Sequence, residues 1–169
     1  LSKRAELASK EARDLQAVPL EQVPLKDTTR IFLSHKSIDK PRVRKYYDVL
    51  LSLGFEPWLD VEDLSAGDNL ERTLSQGFRE SCAAVFFITE NFQDENFLAT
   101  EIDYAIREKR AKDKRFALIT LRFDKNSKIP ELLEIYVWKD VQDDLDGLYE
   151  ILKALPIELG PVRWKKEVL

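Results

Sequence analysis

The stretch SCAAVFFITENFQDENFLATEIDYA, Ser81 to Ala105, passes from an almost unbroken apolar run into polar residues and then into a helical pattern. A second run, FALITLRF at Phe116 to Phe123, is apolar with equally little alternation. Runs of this kind are typical of strands in a parallel sheet, because helices cover both faces of the sheet and neither face meets water. The two runs therefore predict an α/β fold.

Strand and helix patterns alternate along the compact part of the chain, which is predicted to begin at Thr28. The expected strands are Arg30 to Ser34, Phe55 to Asp60, Ala83 to Thr89, Phe116 to Phe123 and Ile135 to Trp138. This alternation favours parallel strands joined by helices. Small folds of this kind commonly have the strand order 2-1-3-4-5, so we expect a flavodoxin-like, doubly wound, five-stranded parallel sheet.

Four helices are expected in this pattern. Asp39 can cap the first, which Gly54 ends, and Asp68 and Glu71 have the spacing of a capping box at the start of the second. The third and fourth are expected over about Glu95 to Arg110 and about Asp143 to Ala154.

The ends of the chain are expected to lie outside this domain. Leu1 to Val18 has apolar residues at alternating steps of four and three, which predicts a helix that Pro19 and Pro24 end. We therefore expect an N-terminal helix and linker at 1–27, one domain at 28–157, and a C-terminal tail or linker at 158–169. The chain begins with Leu and contains no Met, so we also expect it to be a piece of a longer protein.

Charge and composition exclude several classes of protein. The net charge of -4 argues against a nucleic-acid-binding domain, because nucleic-acid affinity depends on a basic surface. No apolar run approaches the ~20 residues of a membrane span. The single cysteine, Cys82, excludes an internal disulfide framework. Together with an N-terminus too polar for a secretory signal, this predicts a cytoplasmic location.

Motifs for cofactors and metals are missing from the sequence. It contains neither a GxGxxG fingerprint nor a GxxxxGK[ST] loop, so nucleotide cofactors of those types have no support. One His and one Cys cannot form the soft part of a zinc site, and the acidic residues lack calcium-loop spacing. We therefore expect neither a metal nor a cofactor.

Polar residues follow the first and third predicted strands, where a sheet of this order has its ligand crevice. Ser34, His35 and Lys36 leave the first strand, and Phe97 and Glu101 follow the third. Each also has a purely structural interpretation. A carboxylate early in a helix stabilises the helix dipole, a histidine after a strand often fixes a loop, and a phenylalanine can be a core residue.

Three separate stretches together resemble the Toll/interleukin-1 receptor (TIR) domain family, especially its bacterial members. They are IFLSHKSIDK at the first strand, GFEPWLDVEDLSAGDNLERTL across the second strand and its loop, and NFLATEIDYAI after the third strand. The resemblance spans about Thr28 to Leu155. The family often has Trp four residues before its essential Glu, and Phe97 occupies that place here, which keeps an aromatic ring but loses an indole N–H.

The resemblance implies an enzyme that cleaves NAD between nicotinamide and ribose, with NAD as substrate. Glu101 matches the essential carboxylate, and His35 and Lys36 match positions that flank the nucleotide. Ser34, which precedes them at the end of the first strand, is also expected to bind substrate. Glu62 and Asp63, in the loop after the second strand, are expected to contact the ribose or close over it, with Phe97 as an aromatic wall. Hydrolysis and cyclisation of the ADP-ribosyl group both remain open.

Self-association of TIR domains and a fused sensor domain are the partners that the resemblance implies. Activation is then expected when several copies gather, in a bacterial immune or cell-death response. The alternative is a non-enzymatic TIR adaptor that acts only through TIR–TIR contacts, with Glu101 as a surface charge.

Overall fold

The structure, a computed structural model, describes residues 28–59, 65–92 and 96–157, and for residues 96–98 it describes the backbone only. The predicted helix and linker at 1–27 and the predicted tail at 158–169 lie outside the described residues. Among the described residues, no helix is both long enough and apolar enough to cross a membrane.

Five strands form one parallel sheet in the order β2-β1-β3-β4-β5, which confirms the predicted fold class and strand order. The strands are β1 (Arg30–Ser34), β2 (Glu56–Trp58), β3 (Ser81–Ile88), β4 (Ala117–Arg122) and β5 (Trp138–Asp140). Every residue of β3 is buried, as its apolar run predicts for the central strand of the sheet.

Four α-helices within the described residues connect and follow these strands. They are α1 (Lys40–Ser52), α2 (Leu70–Arg79), α3 (Asn96–Lys112) and α4 (Asp144–Ala154). A 3₁₀ turn at Ser37–Asp39 precedes α1. All four helices lie where the sequence pattern predicts them, within a few residues at each end.

The helices cover the two faces of the sheet and form two hydrophobic cores. On one face, α1 and α4 pack against alternate strand residues such as Val85 and Phe87 of β3. On the other face, α2 and α3 pack against Ala84, Phe86 and Ile88 of the same strand. Alternate residues of a strand point to opposite faces, so the apolar run of β3 contributes to both cores.

The start of α2 differs from its predicted cap by one residue. Asn69 is the N-cap, and its side chain accepts a 2.8 Å hydrogen bond from the backbone N–H of Arg72. The carboxylate of Asp68 instead accepts from the backbone N–H of Ser65 at 2.9 Å, within the preceding turn. The predicted capping box of Asp68 and Glu71 was therefore wrong, because Asp68 is used in the turn.

The fifth strand begins where its predicted range ends. The sequence pattern placed it at Ile135 to Trp138, whereas β5 runs from Trp138 to Asp140. Ile135 and Val137 are 69% and 78% exposed. The register pairs Thr120 of β4 with Trp138. Backbone pairing to β4, rather than apolar side chains, therefore determines this short edge strand.

Candidate functional site

Ser34 and Glu101 meet at the carboxyl end of β1. The hydroxyl of Ser34 donates a 2.6 Å hydrogen bond to Oε2 of Glu101. Both residues are buried, with 1% and 5% of their surface exposed. A buried carboxylate is costly unless hydrogen bonds compensate for its lost hydration, so a short bond from a hydroxyl stabilises the acid in this position.

The helix α3 places Glu101 against the sheet because its apolar residues pack there. Ile102 and Ala105 belong to the core on that face, and Glu101 lies beside them in the same helix. A second buried carboxylate of α3, Glu108, forms an ion pair with Lys112 at 3.2 Å near the other end of the helix. Glu108 is thus explained by the fold, whereas Glu101 lies at the edge of the sheet where the crevice was predicted.

His35 and Lys36 continue the chain directly from Ser34 and are partly exposed. The Nδ1 atom of His35 lies 2.9 Å from the carbonyl oxygen of Leu33. A carbonyl can only accept, so this contact places a proton on Nδ1 and holds the ring close to its own backbone. His35 therefore makes the loop-fixing contact that its position after a strand suggests. It does so directly beside the Ser34–Glu101 pair.

A second polar group lies at the carboxyl ends of the same strands and consists of Asp39, Thr89 and Asn91. Oδ2 of Asp39 accepts a 2.6 Å hydrogen bond from the hydroxyl of Thr89, and Oδ1 accepts a 3.0 Å bond from the amide group of Asn91. The backbone N–H of Asn91 donates to the Thr89 hydroxyl at 3.1 Å. The chain after β1 is thus joined to the chain after β3, on the two sides of the predicted crevice.

The sequence pattern did not identify this group. Asp39 was interpreted as the cap of α1, and it does occupy the N-cap position, but among the described residues its side chain makes no capping bond. The available signal was the strand order, which brings the polar residues after the first and third strands to one edge. Choosing among the possible partners required the structure.

Three predicted site residues are not tested by side-chain geometry. Glu62 and Asp63 lie outside the described residues. Phe97 lies in the first turn of α3, and only its backbone is described. In the described part of the chain, no group of three or more His, Cys, Asp or Glu residues could hold a metal ion.

The shifted pKa values of Tyr46 and Asp140 belong to groups away from Ser34 and Glu101. Burial raises the pKa of Tyr46 far above its usual value, and the nearby Asp144 carboxylate raises it further. The hydrogen bond from Arg122 lowers the pKa of Asp140 below its usual value. Tyr46 and Asp144 join α1 to α4 through a 3.0 Å bond, and Arg122 and Asp140 join β4 to β5 at 2.6 Å, so both pairs have structural explanations.

The arrangement at the crevice is suited to binding a sugar and a positive charge. A carboxylate has about four lone-pair sites, and the bond from Ser34 occupies one of those of Glu101. A fixed negative charge in a partly desolvated position stabilises a cation more strongly than it would in water.

Comparisons with known proteins give two similarities. A family model described as TIR domain matches residues 31–152 of the chain. The chain is also similar to a protein of Methanobrevibacter olleyae named "Probable 2' cyclic ADP-D-ribose synthase TcpO", with 27% identity over 126 residues. That alignment covers 74% of this chain and 33% of the relative, so the matched region is about a third of the relative's length.

Proposed function

Since the chain belongs to the TIR domain family, we propose that it cleaves NAD at the bond between nicotinamide and ribose, with Glu101 as the catalytic carboxylate. The observation that carries the proposal is the buried hydrogen bond between Ser34 and Glu101 at the carboxyl ends of the strands. The name of the relative, a probable cyclic ADP-D-ribose synthase, supports the same class of substrate.

A single carboxylate suffices for this reaction. Hydrolysis of an ordinary glycoside needs an acid to protonate the leaving oxygen and a second carboxylate near the sugar. Nicotinamide leaves NAD as a neutral molecule, taking the electron pair of the broken bond to its ring nitrogen, so no acid is needed. The remaining task is to hold the ribose hydroxyls and stabilise the positive charge as it moves onto the sugar, and Glu101 is suited to both.

The electrostatic contribution of Glu101 has an upper limit. A carboxylate ~4 Å from a unit charge, at an effective dielectric constant of ~20, gains ~4 kcal/mol, or roughly a thousandfold in rate. The catalytic effect is smaller, because the pyridinium of NAD already carries positive charge nearby and only the difference between ground state and transition state counts.

The ribosyl cation can be captured in two ways. Water gives ADP-ribose and releases one proton, whereas a nucleophile within the same nucleotide gives a cyclic product and also releases one proton. We propose cyclisation as the first reaction to test, because the name of the relative specifies a cyclic product. Product analysis by chromatography and mass spectrometry separates the two, since the hydrolysis product contains one additional water.

Around Glu101, the same proposal assigns contacts with the nucleotide. His35 and Lys36 are placed beside its phosphates or rings, with Phe97 as an aromatic wall. Glu62 and Asp63 contact the ribose or close over it. Ser34 was predicted to bind substrate, and its bond to Glu101 supports a second role in orienting the carboxylate.

Activation by self-association completes the proposal. TIR domains that gather in clusters, through a fused sensor domain in the cytoplasm, would convert NAD only after a stimulus and so serve an immune or cell-death response. Head-to-tail contacts between copies can propagate in this way. The experiment must therefore assay the domain both dilute and clustered.

NAD consumption by clustered wild-type protein and by the Glu101→Gln variant tests the function. Glutamine keeps an oxygen that can accept from Ser34, so the fold should persist. It removes the negative charge, so turnover should fall to a small fraction of the wild-type rate. A clustered Glu101→Gln variant that consumes NAD at the wild-type rate would falsify the assignment. The Glu108→Gln variant is the matched control, because it removes the other buried carboxylate of the same helix.

A non-enzymatic TIR adaptor is the second candidate. Phe97, in the place where the family often has Trp, favours this interpretation. The burial of Glu101 does not, because this alternative expected Glu101 to be a surface charge. An adaptor would self-associate but consume no NAD even when clustered, and Glu101→Gln would then change only its thermal stability.

A further inference from the structure

Asp39 is a buried carboxylate that the proposed reaction does not use. It is 8% exposed, and its two oxygens accept from the Thr89 hydroxyl and the Asn91 amide group. Both donors are neutral and both belong to the chain that follows β3. A buried carboxylate loses hydration that neutral donors only partly replace, and the start of α1 offsets part of this cost because a helix N-terminus favours a negative charge.

The segment from Ser34 to Asp39 is consequently anchored at both ends. At its start, Ser34 donates to Glu101 of α3. At its end, Asp39 accepts from Thr89. Each anchor is a 2.6 Å bond between a hydroxyl and a carboxylate, and the two bonds run in opposite directions across the crevice.

His35 and Lys36 lie between these anchors. The backbone N–H of Asp39 donates to the carbonyl of Lys36 at 2.9 Å, so the anchored end of the segment is also folded back onto Lys36. A binding segment that is already ordered in the free protein loses less conformational entropy when a ligand arrives.

We propose that Asp39 is a positioning residue, which orders the His35–Lys36 segment for the nucleotide by bonding to Thr89 and Asn91 across the crevice. This inference rests on the proposed function and adds a residue to it. Asp39 does not touch the reacting atoms. Its loss should therefore weaken binding of NAD in the ground state and the transition state alike, which raises KM and leaves kcat nearly unchanged.

An exchange of partners between residues 39 and 91 provides the test. In Asp39→Asn, the new amide oxygen can still accept from Thr89, but the new NH2 group faces the NH2 group of Asn91. In Asn91→Asp, two carboxylates face each other, which is unfavourable. The double variant Asp39→Asn with Asn91→Asp restores one donor and one acceptor, at the same net charge as the wild type.

Steady-state kinetics of the clustered protein and amide hydrogen exchange of the free protein are the two measurements. Each single variant should raise KM for NAD about tenfold, with kcat within about twofold of wild type. Hydrogen exchange should become faster at the backbone amides of residues 39 and 91. In the double variant, KM and both exchange rates should return most of the way to their wild-type values. Asp140→Asn is the matched control: it removes a carboxylate from β5 that accepts from Arg122 at 2.6 and 3.1 Å. It should leave KM and exchange at Asp39 and Asn91 unchanged.

Three results would overturn the inference. These are wild-type KM and exchange in Asp39→Asn, a double variant no better than the single variants, or faster exchange throughout the chain with kcat reduced and KM unchanged. The last result would mean that Asp39 only supports the fold. If clustered wild-type protein consumes no NAD, the proposed function is wrong. The hydrogen-exchange data would then still show whether Asp39 orders the His35–Lys36 segment.

Discussion

The hydroxyl of Ser34 donates a 2.6 Å hydrogen bond to Oε2 of Glu101, a residue 67 positions further along the chain. The bond joins the end of β1 to the helix that follows β3, the two elements on either side of the predicted crevice. It helps to fix the direction of a carboxylate at the end of a flexible side chain. Orientation of this kind contributes to catalysis because the acceptor is already in place when charge develops.

Ser34→Ala should reduce kcat for NAD by about tenfold or more. A hydrogen bond to a charged group is worth about 1.5–3 kcal/mol, and about 1.4 kcal/mol corresponds to a factor of ten in rate. A decrease in kcat with little change in KM would support orientation of Glu101 by Ser34. If Ser34 only binds the nucleotide, KM will rise and kcat will remain near the wild-type value.

The control for Ser34→Ala is Thr120→Val, which removes another buried hydroxyl from the same sheet. Thr120 is 1% exposed, and its Oγ1 atom has no hydrogen-bond partner within the described residues. Loss of an unpaired buried hydroxyl should leave kcat unchanged and keep or raise the melting temperature. A fall in kcat in both variants would show that the assay reports core packing rather than the Ser34–Glu101 bond.

Tyr46→Phe should make the stability of the protein less sensitive to alkaline pH. Burial, together with the Asp144 carboxylate, raises the pKa of Tyr46 in the folded state, while an unfolded tyrosine ionises near pH 10. The stabilisation is therefore fully present below about pH 10 and is lost as the pH rises, by at most about 1.4 kcal/mol per pH unit.

Urea unfolding at pH 7 and at several values above pH 10 measures this effect. At pH 7 the variant should lose about 1 kcal/mol, because the Tyr46 hydroxyl no longer donates to Asp144 at 3.0 Å. The difference in stability between the two proteins should shrink as the pH rises. If the free energies of unfolding of the two proteins depend on pH in the same way over the whole range, the raised pKa of Tyr46 is contradicted. The pKa of Tyr104 is also raised by burial, but both proteins contain Tyr104, so its effect cancels in the comparison.

Gly77→Ala should destabilise the fold by about 1–2 kcal/mol. A Cβ at this position would lie 2.6 Å from Cη2 and 2.8 Å from Cζ2 of Trp58, so the indole would have to move. Overpacking of a core costs about 1–3 kcal/mol, and the higher helix propensity of alanine recovers up to about 1 kcal/mol. Chemical denaturation followed by circular dichroism measures the difference.

The matched control is Ser75→Ala in the same helix, at a partly exposed position. It also gains helix propensity, although less than a glycine replacement does, and it causes no collision, so it should be neutral or slightly stabilising. Gly77→Ala as stable as Ser75→Ala would show that the Trp58 ring has room to move. The 3.1 Å bond from Trp58 Nε1 to the Ser81 hydroxyl argues against such freedom.

The architecture could be predicted from the sequence because it depends on hydrophobic patterns that remain recognisable when the bounds of a strand or helix are wrong by a few residues. The continuous apolar runs of the third and fourth strands identified a sheet covered on both faces, and the order of strands and helices limited its topology. The weakest prediction was the fifth strand, where the apolar side chains of Ile135 and Val137 indicated burial and are exposed. A strand of three exposed residues has no apolar pattern to detect.

Strand order predicts that Ser34 and Glu101 lie near each other, because it brings the chain ends after β1 and β3 together. The resemblance to the TIR family then selected Glu101 as the catalytic carboxylate. Their roles in substrate binding and catalysis, with those of His35, Lys36, Glu62, Asp63 and Phe97, stay predictions. The sequence placed Asp39 at the start of a helix, which is correct, and assigned its side chain to the cap, which was wrong.

The sequence by itself determined which segments are buried and in what order the strands and helices follow one another. Hydrophobic burial is non-directional, so the local pattern of apolar residues is enough to indicate it. Only the tertiary structure decided which polar groups pair. Hydrogen bonds need a donor and an acceptor within about 3 Å and in the right direction, and residues 50 positions apart, such as Asp39 and Thr89, meet that condition only after the chain has folded.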